Sequence, residues 1–77
     1  MQIKVLGSGC ANCKKLEANV FEAVAQINVD ADIQKIEDIQ EIMGYGVLST
    51  PGLVVDGELK VSGRVPNVAE IINILRG

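Results

Sequence analysis

Apolar side chains recur along this chain in two rhythms, and each change of rhythm marks a change of element. Ile3, Val5 and Leu6 lie in Gln2 to Leu6, a short run ended by Gly7-Ser8-Gly9, which predicts a strand. The period then lengthens: from about Cys10 to Ile27, the apolar residues Cys13, Leu16, Val20, Val24 and Ile27 recur at steps of three or four, while Lys14, Lys15, Glu17 and Glu22 point elsewhere. That spacing predicts a helix with Cys13 in its buried stripe and Cys10 at its exposed N-terminal end. Ala31 to Ile36 reads as a second strand, diluted by Asp32, Gln34 and Lys35 in a way an edge position tolerates. Asp38 and Glu41 form a capping-box-like pair around Ile39 to Met43, a short helix with Gly44 as its stop.

The clearest segment is Gly52-Leu53-Val54-Val55, then Asp56-Gly57, then Glu58 to Ser62. Two β-rich runs separated by Asp-Gly predict a hairpin, because the type I′ turn needs positive φ at both central residues. Leu59 and Val61 alternate with Glu58, Lys60 and Ser62, the pattern of a half-exposed edge strand. Pro66-Asn67 opens a last helix, capped by Asn67, with Glu70 three residues on and Ile71, Ile72, Ile74 and Leu75 as its apolar face. The order is β-α-β-α-β-β-α. A right-handed first β-α-β unit makes the first two strands parallel neighbours, and the hairpin adds two antiparallel strands to the same sheet. Helices then cover both faces.

Length changes the picture only by limiting it: 77 residues make one domain, 1–77, whose stability margin is thin because a chain this short buries about 60% of its unfolded surface. A net charge of −3, spread rather than segregated, and Phe21 and Tyr45 as the only aromatics argue against a nucleic-acid partner. The longest apolar runs fall far short of the roughly 20 residues of a membrane span, and Met-Gln-Ile-Lys-Val-Leu lacks the features of a signal peptide. An intracellular, cytoplasmic monomer is expected.

Chemistry is concentrated in Cys10 and Cys13, the whole cysteine inventory of a chain without histidine. A bridge between them closes almost no loop, so it adds little stability, and in a reducing compartment such a pair is catalytic or metal-binding rather than a staple. The thiolate is the nucleophile, and an ordinary thiol with pKa near 8.5 is mostly protonated at neutral pH. The unpaired N–H groups and dipole at a helix start favour an anion, and Lys14 one turn along adds positive potential. Cys10 is therefore expected to attack a disulfide, and Cys13, one turn behind, to resolve the mixed disulfide.

Gly9-Cys10-Ala11-Asn12-Cys13 after a first strand, Thr50-Pro51 before a hairpin, and Gly63-Arg64-Val65 before the last helix resemble the small thioredoxin/glutaredoxin-like proteins of the redox-active disulfide protein 2 type. The resemblance covers nearly the whole chain. It implies a thioredoxin-like βαβαββα fold with a four-stranded mixed sheet of order 2-1-3-4, and a thiol–disulfide oxidoreductase that reduces protein disulfides. It also implies a cis Thr50–Pro51 bond facing the redox pair and a substrate segment held by Gly9, Ala11, Asn12, Thr50 and Pro51. A thioredoxin-reductase-like or other dithiol donor would recycle the pair, with no cofactor and no resident metal. Larger thioredoxins place Trp before the first cysteine and Gly-Pro between the two, where this chain has Gly9 and Ala11-Asn12. On a gap-free alignment Lys4 stands where those proteins keep a buried acid.

The same cysteines support a second reading, a domain holding Cu(I) on two thiolates, a soft ion suited to such ligands. Heavy-metal-associated domains, however, run β-α-β-β-α-β and carry a methionine where Ser8 stands. A zinc site lacks two of its four ligands, and Gly7-Ser8-Gly9 misses a dinucleotide fingerprint because Asn12 stands where a glycine is needed. Tyr45, between Gly44 and Gly46, either borders the groove or caps the core, and Arg64 reads as a solvated edge residue.

Overall fold

Alternation along the first strand decides which side of the sheet each residue serves. In the computed structural model, which describes residues 1–7, 9, 11–47 and 49–76, β1 (Gln2–Leu6) is followed by α1 (Ala11–Ile27), β2 (Asp32–Ile36), α2 (Ile39–Gly44), β3 (Gly52–Val55), β4 (Glu58–Ser62) and α3 (Val68–Arg76). The strands form one sheet in the order β2-β1-β3-β4. β1 runs parallel to β2 and antiparallel to β3, which pairs antiparallel with β4. Element order and sheet order are those expected from the sequence. The diluted strand and the half-exposed strand take the two edges.

Ile3 and Val5 of β1 join Leu16, Val20 and Ala23 of α1, Leu53 and Val55 of β3, and Ile71 and Leu75 of α3 in the larger core cluster. Leu6 and Val54 point to the other face and pack with Ile42 of α2 and Val47. Two thin cores therefore sandwich the sheet. The buried stripe of α1 runs through Ala23, with Val24 and Ile27 only partly covered.

Local signals explain the element ends. Asp38 caps α2 by accepting from the Gln40 N–H at 2.9 Å, and Asn67 caps α3 by accepting from the Glu70 N–H at 2.8 Å. Gly44 does not stop α2: it is the last helical residue, Tyr45 is the cap, and the left-handed turn falls at Gly46. The Asp56-Gly57 turn has positive φ at both residues (50° and 84°), as a type I′ turn requires. Leu59 and Val61 do not share a face. The β3–β4 register shifts between Leu53 and Val54, so Val61 opposite Leu53 enters the larger core while Leu59 opposite Val54 packs on the smaller one. Among the described residues no helix is long and apolar enough to cross a membrane.

Candidate functional site

The C-terminal end of β1 is where the candidate residues collect. Its last ladder pair with β3 is Leu6 with Gly52, so Gly7 and Pro51 are the next residues beyond that pair. The Gly7 N–H donates to the Ile36 carbonyl at the end of β2 (2.9 Å), and the Pro51 carbonyl accepts from the Gly63 N–H just beyond β4 (2.8 Å). Four chain segments are thereby tied together at one end of the sheet. The connection from β1 runs through α1 to β2 on one side, and the connection from β2 runs through α2 to β3 on the other side of β1.

α1 brings Cys13 to this end. Its side chain is buried at 1% exposure, and a Cβ built on Gly7 would lie 2.2 Å from the Cys13 Sγ and 2.9 Å from its Cβ. Gly7 is thus the floor on which Cys13 rests, and no larger residue fits there undisturbed. In the sequence Gly7 stands out only as the first residue of the break that ends the first strand. Gly9 is in the left-handed region with φ 84°, half-covered, with open space around its Cα. Ala11 and Asn12 at the start of α1 are exposed, as are Lys14 and Lys15. Cys10, expected to attack, lies outside the described residues, and so does Ser8.

The Thr50–Pro51 peptide bond is cis. Pro51 is buried and Thr50 exposed. Beside Thr50 opens a largely apolar groove lined by Ile39, Ile42, Met43, Val47, Ser49 and Thr50. Of the apolar residues Ile39, Ile42 and Met43 on α2, only Ile42 is buried. Ile39 and Met43 remain 64% and 65% exposed, forming the wall of the groove. The signal that distinguishes them is the shortness of α2: six residues give one buried turn and leave the flanking apolar positions open.

Lys4 of β1 points to the α2 side. Its Nζ donates to the Tyr45 hydroxyl at 2.7 Å and lies 5.3 Å from the Tyr45 ring centroid. The hydrogen bond to Tyr45 is the main cause raising the Lys4 pKa above its ordinary value, with the nearby Glu41 carboxylate adding to it and partial burial opposing it. Arg64 is neither unpartnered nor turned toward the groove: its guanidinium donates to the Glu70 carboxylate, raising the pKa of the arginine and lowering that of the acid.

The observed order also separates the two readings of the cysteine pair. A helix, α2, stands between β2 and β3, and a helix follows β4, so the β-α-β-β-α-β order of heavy-metal-associated domains is not the order here. Comparison with known proteins points the same way. The Thioredoxin domain family profile matches residues 1–76. A thioredoxin of Methanothermobacter thermautotrophicus is 48% identical over 75 residues, covering 97% of this chain and 97% of that protein. A thioredoxin of Methanocaldococcus jannaschii is 38% identical over 69 residues, covering 90% of this chain and 79% of that protein.

Proposed function

Since the chain belongs to the thioredoxin domain family, we propose that it reduces protein disulfides through the dithiol of Cys10-Ala11-Asn12-Cys13, drawing electrons from a dithiol donor in the cytoplasm. The observation that supports this best is the seating of Cys13. Its sulfur is shielded against Gly7, at the sheet end shared with the Thr50–Pro51 segment, in a chain of this family.

Cys10 attacks as thiolate, favoured by the N–H groups at the head of α1. Its sulfur bonds to one substrate sulfur, and the other substrate sulfur leaves and takes up a proton. Cys13 then loses its proton and attacks the Cys10 sulfur, which expels the second substrate thiol. The substrate disulfide has gained two electrons, and the Cys10–Cys13 disulfide carries the oxidation until a dithiol of reductase type reduces it. Burial suits Cys13 to this second step: a shielded sulfur is out of reach of solvent oxidants, and Cys10 stands three positions before it in the sequence. Gly9, Ala11 and Asn12 flank Cys10 in sequence and take part in holding the substrate. The backbone of Thr50 offers hydrogen bonds to an extended substrate segment, Pro51 shapes the surface beside it, and an apolar side chain of that segment enters the groove of Ile39, Met43 and Val47.

Single cysteine variants test the assignment. With a disulfide protein as substrate and dithiothreitol as donor, Cys10→Ser abolishes turnover. Cys13→Ser accumulates a covalent substrate complex that runs on a non-reducing gel and dissolves in excess reductant. A complex trapped by Cys10→Ser instead reverses the roles, and stoichiometric Cu(I) binding by a wild-type chain with no exchangeable disulfide overturns the reading.

A further inference from the structure

The wall of the groove is held by little. α2 has six residues and one buried side chain, Ile42, so Ile39 and Met43 stand on a helix with a single apolar anchor. One buried side chain fixes position but leaves rotation about itself free. The second fixing point is Tyr45, the cap residue, whose N–H bonds back to the Ile42 carbonyl at 3.1 Å and whose ring packs against the cluster of Leu6, Ile42, Val47 and Val54. Its hydroxyl is reached across 41 residues of chain by the ammonium of Lys4 at 2.7 Å. Lys4 belongs to β1, which has a strand on either side, and pairs with Gln34 and Val54 there, so its backbone is the firmest available mount.

We propose that Lys4 and Tyr45 form a positioning pair that fixes the α2 wall and thereby sets affinity for large disulfide substrates, without touching the reacting sulfurs. The inference rests on the oxidoreductase reading and assigns it a determinant of substrate binding. It also gives a purpose to a basic residue on a central strand. A neutral side chain of similar length would satisfy the packing but not the phenol, and an acid there would bond Tyr45 at the cost of facing Glu41, the carboxylate that acts on Lys4.

Steady-state reduction of insulin disulfides, with dithiothreitol as donor, is compared with the single-turnover reaction of the reduced protein with 5,5′-dithiobis(2-nitrobenzoate), a substrate too small to use the groove. Tyr45→Phe and Lys4→Met are each expected to raise KM for insulin about three- to tenfold, the factor corresponding to one lost hydrogen bond, with kcat and the small-disulfide rate unchanged. The double variant is expected to be no worse than either single, because both remove the same bond. Lys4→Arg, which keeps a cationic donor, is expected to retain most of the affinity. Should Lys4→Met fail to fold, Tyr45→Phe alone still decides. An unchanged KM in Tyr45→Phe overturns the inference while leaving the oxidoreductase reading intact, and so does an equal loss on insulin and the small disulfide. A wild-type chain that reduces neither substrate removes the oxidoreductase reading and the inference with it.

Discussion

Replacing Gly7 with alanine places a methyl group where the Cys13 sulfur already is. The added Cβ would stand 2.2 Å from Sγ, whereas unstrained heavy-atom contacts lie at about 3.5–4.0 Å, so the two groups must separate by more than about 1 Å. Neither is free to do so: Cys13 is on a helix packed through Leu16 and Val20, and Gly7 is bonded through its N–H to Ile36. Overpacking of this kind costs about 1–3 kcal/mol. Alanine also narrows the unfolded ensemble, which returns about 0.4–1 kcal/mol. The mid-values leave an expected net loss of about 1.3 kcal/mol, which at a urea m-value of about 1 kcal/mol/M for a domain this small lowers the unfolding midpoint by about 1.3 M. Urea titration followed by far-ultraviolet circular dichroism reads it directly. The decisive comparison is a cycle: in a Cys13→Ala background the obstructing sulfur is gone, and the cost of Gly7→Ala should fall by at least half. A midpoint unmoved by Gly7→Ala, or a cost as large without the sulfur as with it, refutes the packing of Cys13 on Gly7.

Two further outcomes follow from bonds near the start of α3. Asn67→Ala removes the side-chain acceptor of the Glu70 N–H and should cost about 1 kcal/mol, seen as a fall in melting temperature of about 4–8 °C. Arg64 holds the Glu70 carboxyl below its ordinary value of 4.5, so the folded state binds that proton less readily than the unfolded chain does. The pair's contribution is therefore complete above that ordinary value and lost as pH falls through the lower folded value. Arg64→Gln should lower the urea midpoint slightly at pH 7 and leave it unchanged at pH 2, and an equal effect at both pH values would contradict the pairing.

Where the sequence was legible, the physics was local. Asp56-Gly57 announces its turn because few residues accept positive φ, Asn67 announces its helix because a cap needs a short acceptor, and the stripe of α1 follows from one helical period. The Leu59–Val61 pair misled for a reason of the same scale: strict alternation puts both on one face, and the register shift beside Val54 that separates them leaves no mark in the pattern. At the candidate site the cysteine pair and Thr50-Pro51 stand out as motifs, but their surroundings do not. That Gly7 meets Cys13 and that Lys4 meets Tyr45 are contacts between β1 and the helices on its two faces, set by helix docking rather than by local sequence pattern. That Ile39 and Met43 stand exposed beside buried Ile42 is not legible either, because apolar spacing does not report what covers a face.

The opening residues of β1 are clasped from both sides. The Met1 carbonyl accepts from the Asp32 N–H, the Gln2 carbonyl from the Asp56 N–H, and the Gln2 N–H donates to the Asp56 carboxylate. These clasps sit at the opposite pole of the sheet from Cys13, separated by the length of the strand, about 16 Å at the usual rise per residue. A handle joined ahead of Met1, whether a purification tag or a tether to an electrode, therefore departs from the pole away from the Cys13 sulfur. It leaves the Cys13 pole facing outward, and the clasped hairpin tip bears the pull in its place.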